Sequence, residues 1–294
     1  MASRSSRLLT CTALAVAGVL SLVSAPALAT TASPDAAPAQ VQAAAQKVSV
    51  PAYFYPGATW DRLIAAGTRA GIAIANPDNG PGGGVDSQYT NVIRRATSAG
   101  IKVIGYVPTG YFGTTGMTTR TGSTNPNDWM RQIKGDVDTW YRLYGSAGVA
   151  GIFFDEGLAR CGSGNVDVNR YIELKRYVEG LRGAAAIVVD NPGTGVDQCY
   201  SQAADTLVTF EGSGSSYRNH RPQAWEATAP ADKIWHMVYD VPDQNSMREM
   251  MNFSRQRNAG HIYVTPDNLA AQNPWDSLPP QAYWDTELSL AAGA

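Results

Sequence analysis

The sequence predicts a protein of the α/β class with a single (β/α)8 TIM barrel, and three observations support that fold. Eight short apolar segments alternate with helical patterns, which is typical of a parallel sheet. Polar residues follow most of the apolar segments, whereas glycine-containing turns precede many of them. The region concerned, residues 48–294, is about as long as one such barrel requires. An open, doubly wound sheet is the alternative, but such sheets usually have fewer strands.

The predicted strands are apolar runs that end at a proline or a polar residue. Because their apolar residues are nearly continuous, they are expected to be buried on both faces. In chain order, strands are expected at 50–55, 71–75, 102–107, 149–154, 186–189, 206–210, 233–239 and 261–264. The helices between them have apolar residues three and four positions apart and are expected at 60–66, 89–98, 127–144, 165–182 and 243–258. Asn165 or Asp167 is expected to cap the fourth of these helices.

The first 29 residues have the pattern of a secretory signal peptide. Two arginines precede an apolar run over residues 8–23, and small residues at 27–29 suit cleavage. The run is too short, and too closely followed by Pro26, to favour a membrane anchor. Residues 30–47 are rich in alanine and proline without apolar periodicity, which indicates a disordered lead-in. We therefore expect a secreted, extracellular protein that has no membrane attachment after cleavage.

The composition excludes several other classes of protein. The formal net charge of -2 gives no reason to expect nucleic acid or an anionic membrane as a partner. No phosphate-binding loop, dinucleotide fingerprint or serine nucleophile elbow is present, so we expect no cofactor. The three histidines lack the spacing of a zinc site, so we expect no metal. A hard cation held by Asp155, Glu156 and Glu211 is the alternative, and we expect the protein to be a monomer.

Two cysteines, Cys161 and Cys199, remain after removal of the predicted signal peptide. An even pair in an oxidising compartment predicts one disulfide bond. Cys161 follows the fourth predicted strand and Cys199 follows the fifth, so the bond would join neighbouring loops on one side of the barrel. Two buried free thiols are the alternative.

Two predicted strands end directly at carboxylates. Asp155 and Glu156 follow the apolar run at 151–154, and Glu211 follows the run at 207–210. Barrel enzymes carry their catalytic groups at such carboxyl ends. Hydrolysis of a glycosidic bond needs two carboxyl groups, one as an acid and one as a nucleophile or base. We expect Asp155 to be the nucleophile or base, Glu211 the general acid/base, and Glu156 a supporting carboxylate.

The spacing of the strands leaves the type of glycoside hydrolysis open. Asp155 and Glu211 follow the fourth and sixth predicted strands, which have one strand between them. At this spacing the distance between the two carboxyl groups can be the short one of a retaining enzyme or the longer one of an inverting enzyme. A purely structural alternative also exists, in which Asp155 and Glu156 cap the next helix or bind Arg160.

Side chains suited to sugar binding surround the same strand ends. Aromatic rings stack on the apolar faces of sugars, although many such rings only pack in protein cores. The residues expected to bind substrate stand at a strand end or in the loop beyond it, and they are Tyr55, Asn76, Tyr106, Tyr111, Asp190, Asn191, Tyr239 and Asp240.

Four blocks of the sequence share their order and residues with a known family. They read Val-Pro-Ala-Tyr-Phe-Tyr-Pro at 50–56, Ile-Ala-Asn-Pro-Asp-Asn-Gly-Pro-Gly at 74–82, Val-Ile-Gly-Tyr-Val at 103–107 and Gly-Val-Ala-Gly-Ile-Phe-Phe-Asp-Glu at 148–156. Together they resemble the spherulation-specific (spherulin-4-like) family, which is similar to glycoside hydrolase family 135. The resemblance covers residues 50–266.

The resemblance implies a (β/α)8 fold and the hydrolysis of α-1,4-linked galactosamine or N-acetylgalactosamine polymers of microbial biofilms and cell walls. It also implies an active groove lined by Asp155 and Glu156, which match the Asp-Glu pair of the family directly. Glu211 matches a later glutamate of the family by its position at a strand end.

The sequence thus predicts a secreted, endo-acting glycoside hydrolase whose partner is a galactosamine or N-acetylgalactosamine polysaccharide. A non-catalytic carbohydrate-binding barrel, or a structural protein of spores or cell walls, is the alternative. Such a protein would keep the aromatic side chains but would release no product.

Overall fold

Eight parallel strands close into a barrel in the computed structural model, which describes residues 45–271 and 273–293. Each strand pairs with the next one along the chain, and the last pairs with the first. The strands are β1 Lys47–Ala52, β2 Ala70–Ala75, β3 Lys102–Pro108, β4 Gly151–Asp155, β5 Ile187–Asp190, β6 Thr206–Ser213, β7 Ile234–Tyr239 and β8 His261–Val264. The predicted (β/α)8 fold is confirmed. The predicted signal peptide lies outside the described residues, and Lys47 belongs to β1 rather than to the lead-in.

Seven α-helices of the described part surround the strands. They are α1 Ala58–Ala65, α2 Ser87–Ser98, α3 Pro126–Tyr144, α4 Val166–Arg182, α5 Gly214–Asn219, α6 Gln244–Gln256 and α7 Gln281–Ala291. The sequence does not predict α5, which is short and rich in small polar residues, or α7, whose buried face includes Glu287. Asn165 stands at the N-cap of α4, but its side chain makes no capping hydrogen bond. Among the described residues, no helix combines the length and apolarity needed to cross a membrane.

Aromatic side chains fill the barrel interior. The rings of Tyr106 and Phe153 are stacked with 6.1 Å between their centroids, and Phe153 meets Trp235 edge-on at 6.1 Å. All three are at most 5% exposed. Burial of each such side chain stabilises the fold by about 2–3 kcal/mol, so the interior is a packed core. Asp155 lies two residues beyond Phe153 and therefore shares its face, which brings the carboxylate to the mouth above this core.

A bulge in β6 decides which side chain of that strand faces the mouth. Val208 lies opposite the interior residue Trp235, whereas Phe210 lies opposite His236, so β6 has one extra residue at this point. Regular alternation would turn Phe210 inward with Val208 and would turn Glu211 towards the helices. The extra residue reverses this alternation, as bulges near active sites often do. Glu211 therefore points into the mouth.

The pairing between β1 and β8 is limited to two residue pairs at the lower end of the barrel. Higher up, the Glu287 side chain on α7 accepts a hydrogen bond from the backbone N–H of Val264 at 2.7 Å. Burial raises the pKa of Glu287 well above its usual range. The backbone N–H of Tyr53 donates to the carbonyl of Trp275 at 3.1 Å. The segment after β8 therefore completes the rim where the two strands separate.

The residues before β1 and the end of α7 meet at the floor of the barrel. The backbone N–H of Gln46 donates to the carbonyl of Ala291 at 2.8 Å. The side-chain amide of Gln46 donates to the carbonyl of Ala259 at 2.6 Å. Because β1 starts here and runs towards the mouth, this contact lies at the opposite end of the barrel from Asp155.

The predicted disulfide bond joins Cys161 and Cys199, whose Cα atoms are 6.1 Å apart. Cys161 lies in the loop after β4, and Cys199 lies in a short helical turn at Gln198–Gln202 after β5. The carboxylate of Asp197 reinforces the connection, because it accepts from the backbone N–H of Cys161 at 3.1 Å. The bond therefore fastens two loops that border the mouth.

Replacement of both cysteines by alanine is expected to lower the free energy of unfolding. The two residues are separated by 38 positions, and closing a loop of that length contributes about 2–4 kcal/mol when the unfolded chain is constrained. Denaturant titration of the oxidised wild type, the reduced wild type and the double variant measures the loss. Equal stability of all three would contradict the prediction.

Candidate active site

The side-chain amide of Asn191 joins two carboxylates at the mouth of the barrel. Its Nδ2 atom donates to Asp155 Oδ1 at 2.7 Å and to Glu211 Oε2 at 2.7 Å. Asn191 directly follows β5, so it stands between the ends of β4 and β6. The two carboxylate oxygens are therefore no further apart than the combined length of two hydrogen bonds. Asp155 and Glu211, which the sequence places on separate strand ends, form one cluster.

Hydrogen-bond donors surround Asp155. Its Oδ1 also accepts from the backbone N–H of Glu156 at 2.9 Å, and its carboxylate is hydrogen bonded to the hydroxyl of Tyr106. Burial raises the pKa of Asp155, while the bonds from Tyr106, Glu156 and Asn191 lower it in that order. Some of its surface remains exposed, so a ligand at the mouth can reach the carboxylate.

Different interactions determine the pKa of Glu211. Its Oε1 accepts a hydrogen bond from the indole Nε1 of Trp275 at 3.0 Å. Burial, followed by the negative charge of Asp155, raises the pKa of Glu211 to about 7. The bonds from Asn191 and Trp275 act in the opposite direction but do not cancel these effects. Glu211 therefore holds its proton near neutral pH, as a general acid requires.

Glu156 has a left-handed backbone, with φ 56°, which is uncommon for a residue other than glycine. Three hydrogen bonds from the loop after β3 hold it there. Its carbonyl accepts from the Tyr111 backbone N–H at 2.9 Å and from the Thr109 hydroxyl at 2.8 Å, and its carboxylate accepts from the Gly110 backbone N–H at 3.1 Å. Burial and then the charge of Asp155 raise the pKa of Glu156. Backbone strain of this kind concentrates at functional sites.

The purely structural reading of the Asp-Glu pair does not fit these contacts. Arg160 forms its ion pair with Asp197, at 2.9 Å. Helix α4 begins only at Val166, too far along the chain for Asp155 or Glu156 to occupy its N-cap.

Three further residues predicted to bind substrate lie close to the carboxylates. Burial raises the pKa of the hydroxyls of Tyr106, Tyr111 and Tyr239, and the negative charge of the carboxylates raises it further. The ring of Tyr239 packs edge-on against Trp275, 6.0 Å between centroids. These hydroxyls therefore stay protonated and can donate hydrogen bonds at the mouth.

Tyr55, Asn76 and Asp240 lie at the ends of other strands without a described contact to the carboxylates. Tyr55 is 61% exposed, and its hydroxyl donates to Asp86 at 2.9 Å. The Asn76 side chain accepts from the backbone N–H of Gly80 at 3.0 Å and so orders the loop after β2. Asp240 is exposed, with φ 57°. A role for these three in substrate binding stays a prediction.

Asp190 does not face the mouth, which corrects the expectation that it binds substrate. It lies in register with Phe154, whose side chain points away from the interior face of Phe153 and Asp155. Asp190 is 1% exposed, and neither of its carboxylate oxygens has a hydrogen-bond partner among the described residues. Burial raises its pKa well above the usual range. Asp190 is therefore buried away from the mouth, whereas the next residue, Asn191, belongs to the site.

The sequence places Tyr53 among the aromatic residues near the strand ends but not among the expected site residues, and it assigns no role to Trp275. Burial raises the pKa of the Tyr53 hydroxyl, and the charges of Asp155, Glu211 and Glu156 raise it further. Trp275 lies in a segment without strand or helix periodicity. Its position after the last strand is the only sequence signal, because loops that follow barrel strands border the mouth.

One group of possible metal ligands lies outside the mouth. Ligand atoms of His220, Glu226 and His236 lie within 4.8 Å of one another. Hydrogen bonds already use two of its members, whereas Nε2 of His220 has no partner among the described residues. His236 is hydrogen bonded to Tyr217 at 2.6 Å and to Thr209 at 3.2 Å, and Glu226 accepts from Thr209 at 3.0 Å. At the mouth, the Asn191 amide N–H groups donate to Asp155 Oδ1 and Glu211 Oε2, which are oxygens that a bound cation would need as ligands. The expected absence of a metal stays a prediction.

A (β/α)8 barrel with clustered carboxylates at the carboxyl ends of its strands has the architecture of barrel glycoside hydrolases. The family model of spherulation-specific family 4 matches residues 47–291. The chain therefore belongs to this family, and the resemblance found in the sequence is confirmed.

Individual relatives agree with this assignment. Spherulin-4 from Physarum polycephalum is 33% identical over 189 residues, which cover 63% of this chain and 50% of that protein. The chain thus matches only half the length of Spherulin-4.

Among solved structures, Aspergillus clavatus Sph3 in complex with GalNAc has a TM-score of 0.67 and 24% identity, covering 84% of this chain and 98% of that one. A chitinase from Rhizomucor miehei has a TM-score of 0.52 and 13% identity, covering 84% and 98%. At these identities the solved structures establish the barrel fold.

Removal of the Glu211 charge is expected to stabilise the protein at alkaline pH. The folded-state pKa of about 7 lies above the ordinary value of 4.5, so the folded form binds this proton more tightly than the unfolded form. The stability from that proton is complete below the ordinary pKa and is lost as pH rises through about 7. We therefore compare the free energy of unfolding of the Glu211→Gln variant with that of the wild type. This difference should shift in favour of the variant by up to about 3 kcal/mol from acidic to alkaline pH.

Denaturant titration of both proteins below pH ~5 and above ~8 tests this difference. Glu249→Gln is the control, because it removes an exposed ion pair to Arg218 and should change stability by less than about 1 kcal/mol. A Glu211→Gln variant whose stability relative to wild type is independent of pH would refute the assignment.

Proposed function

We propose that this protein is a secreted glycoside hydrolase that cleaves an α-1,4-linked galactosamine or N-acetylgalactosamine polysaccharide by carboxylate acid–base catalysis. The observation that carries the proposal is the pair of carboxylates on one amide, with an oxygen of Asp155 and an oxygen of Glu211 each 2.7 Å from Asn191 Nδ2. A protonated and an ionised carboxyl group side by side are the two groups that glycoside hydrolysis needs.

The short gap between the two carboxylates supports a retaining mechanism. In retaining enzymes the carboxyl groups are about 5–5.5 Å apart, whereas inverting enzymes separate them by about 6.5–9.5 Å to admit a water molecule. Asp155, which accepts hydrogen bonds from Glu156 and Asn191, would attack the anomeric carbon. Glu211 would give its proton to the leaving oxygen. A water molecule would then return that proton to Glu211 and release the sugar from Asp155.

The charge of the mouth supports an amino-sugar substrate. The carboxyl groups of Asp155 and Glu156 are not in any salt bridge among the described residues. Asp240 and Asp267 at neighbouring strand ends add to the negative field. Such a field favours a neutral or cationic polymer over a polyuronate. Membership of the spherulation-specific family supports the same choice, as does the GalNAc complex of the similarly folded Sph3.

Secretion rests on the sequence pattern of the first 29 residues and on the disulfide bond. Disulfides of this kind form and persist in oxidising compartments outside the cytosol.

Asp155→Asn and Glu211→Gln are each expected to reduce turnover of galactosamine oligomers by at least about a thousandfold, because an amide can neither carry the charge nor transfer the proton. Asp190→Asn is the matched control. It makes the same aspartate-to-asparagine change at the residue before Asn191, on the face of β5 turned towards the helices. This variant should retain near-wild-type turnover. Product release is measured by chromatography, and thermal melting establishes that each variant is folded. Near-normal turnover by either site variant would remove that residue from the mechanism.

A panel of polymers tests the proposed substrate. We expect cleavage of N-acetylgalactosamine and galactosamine polymers and none of alginate, a polyuronate. For the partly deacetylated, cationic polymer, binding should weaken as salt rises through about 0.1–1 M, because screening shortens the reach of the acidic field. Cleavage of alginate alone would contradict the proposal. Binding of the amino-sugar polymer without product release would favour the non-catalytic carbohydrate-binding barrel instead.

A further inference from the structure

Trp275 belongs to the segment between β8 and α7, and its backbone is anchored on both sides. Its carbonyl accepts from the backbone N–H of Tyr53 at 3.1 Å, and its own N–H donates to the Asn273 side chain at 2.9 Å. The first of these bonds fixes the segment to the end of β1, where β1 and β8 no longer pair. The position of Trp275 is therefore set by the rim of the barrel.

Neighbouring rings fix the orientation of the indole. The Trp275 ring packs against Tyr239 with 6.0 Å between centroids, and against Tyr263 with 5.9 Å. Trp275 is 5% exposed, so the ring has little room to move. In this orientation its Nε1–H points at Glu211 Oε1, 3.0 Å away.

The two oxygens of Glu211 thus have separate partners on separate elements. Oε1 receives the indole N–H of Trp275, and Oε2 receives the amide N–H of Asn191 at 2.7 Å. Both groups can only donate at these atoms, because an indole nitrogen and an amide nitrogen do not accept hydrogen bonds. The proton of a protonated Glu211 therefore cannot point at either of them. It must lie in a direction that neither donor occupies.

We propose that Trp275 is a positioning residue, which holds Glu211 through its indole N–H and directs the acidic proton of Glu211 into the mouth. The inference rests on the proposed function, since it assigns a role in proton donation to the leaving oxygen. Trp275 itself acts through Glu211 and needs no contact with the substrate.

The contact also affects the titration of Glu211. A donor that bonds to the ionised form favours that form, so the Trp275 bond lowers the pKa of Glu211. Loss of the bond should therefore raise it. A substitution of Trp275 leaves in place the other titratable groups that interact with Glu211, and these are Asp155, Tyr53, Tyr106, Tyr111 and Tyr239.

The test uses Trp275→Phe, which keeps an aromatic ring but removes the N–H group. The Glu211 carboxyl is titrated by NMR in protein labelled with carbon-13 at glutamate, with Glu211→Gln to identify its signal. The same variant is assayed on galactosamine oligomers across pH. We expect the Glu211 titration and the alkaline limb of kcat/KM to move up by about one pH unit. We also expect kcat to fall about tenfold or more, with little change in KM.

Trp60→Phe is the matched control. Trp60 is fully buried, and its indole donates to the Phe54 carbonyl at 3.0 Å, so this variant loses the same kind of bond away from Glu211. It should leave the Glu211 titration in place. As a second probe, β-(3-benzothienyl)alanine at position 275 keeps the shape of the indole and replaces only the N–H, which covers the case in which Trp275→Phe does not fold.

An unchanged Glu211 titration in a folded protein that lacks the N–H at position 275 would overturn the proposal. The NMR titration does not depend on turnover. A shifted titration in a protein that hydrolyses no amino-sugar polymer would therefore refute the proposed function and leave the positioning role standing.

Discussion

Two acidic side chains can share the mouth of this barrel only because neutral donors compensate their desolvation. Burial of a carboxylate without a partner is costly, and two carboxylates at short distance repel each other. Here Asn191 donates to both, and Trp275 donates to Glu211 from the other side. None of the described salt bridges involves Asp155 or Glu211, so no cationic side chain neutralises the cluster. Glu211, whose pKa is raised to about 7, instead keeps a proton near neutral pH, and the proposed acid–base mechanism depends on that proton.

Several irregular features of the backbone serve this cluster. The bulge in β6 turns Glu211 inward, and the left-handed conformation of Glu156 lets the chain leave β4 while both of its carboxylates stay near the mouth. The gap between β1 and β8 admits the segment that carries Trp275. A barrel with uniform strands would satisfy its own hydrogen bonds better, but it would present Phe210 where the acid now stands.

The sequence predicts the regular parts of this molecule well and the irregular parts poorly. Strands and strand ends follow from apolar runs and their terminating residues, so Asp155, Glu156, Glu211 and the disulfide partners are all found. It is harder to predict which face of the sheet a side chain occupies, because this depends on strand register, which is set by pairing between distant segments. The strand that ends at Asp190 therefore predicts a side chain at the mouth, although Asp190 faces the helices with Phe154. Trp275 has no periodic neighbours, and only the tertiary contact with Tyr53 brings it to Glu211.

The contact of Gln46 with Ala291 lies at the floor of the barrel and indicates where the protein can be attached to a support without covering the mouth. A tether or tag joined to the chain at Ala45 would start on the side of the barrel remote from the carboxylates. Immobilised in this way, on a bead or a surface, the protein would turn its mouth outward to the solution. A long, insoluble polymer could then be presented to it without passing the support.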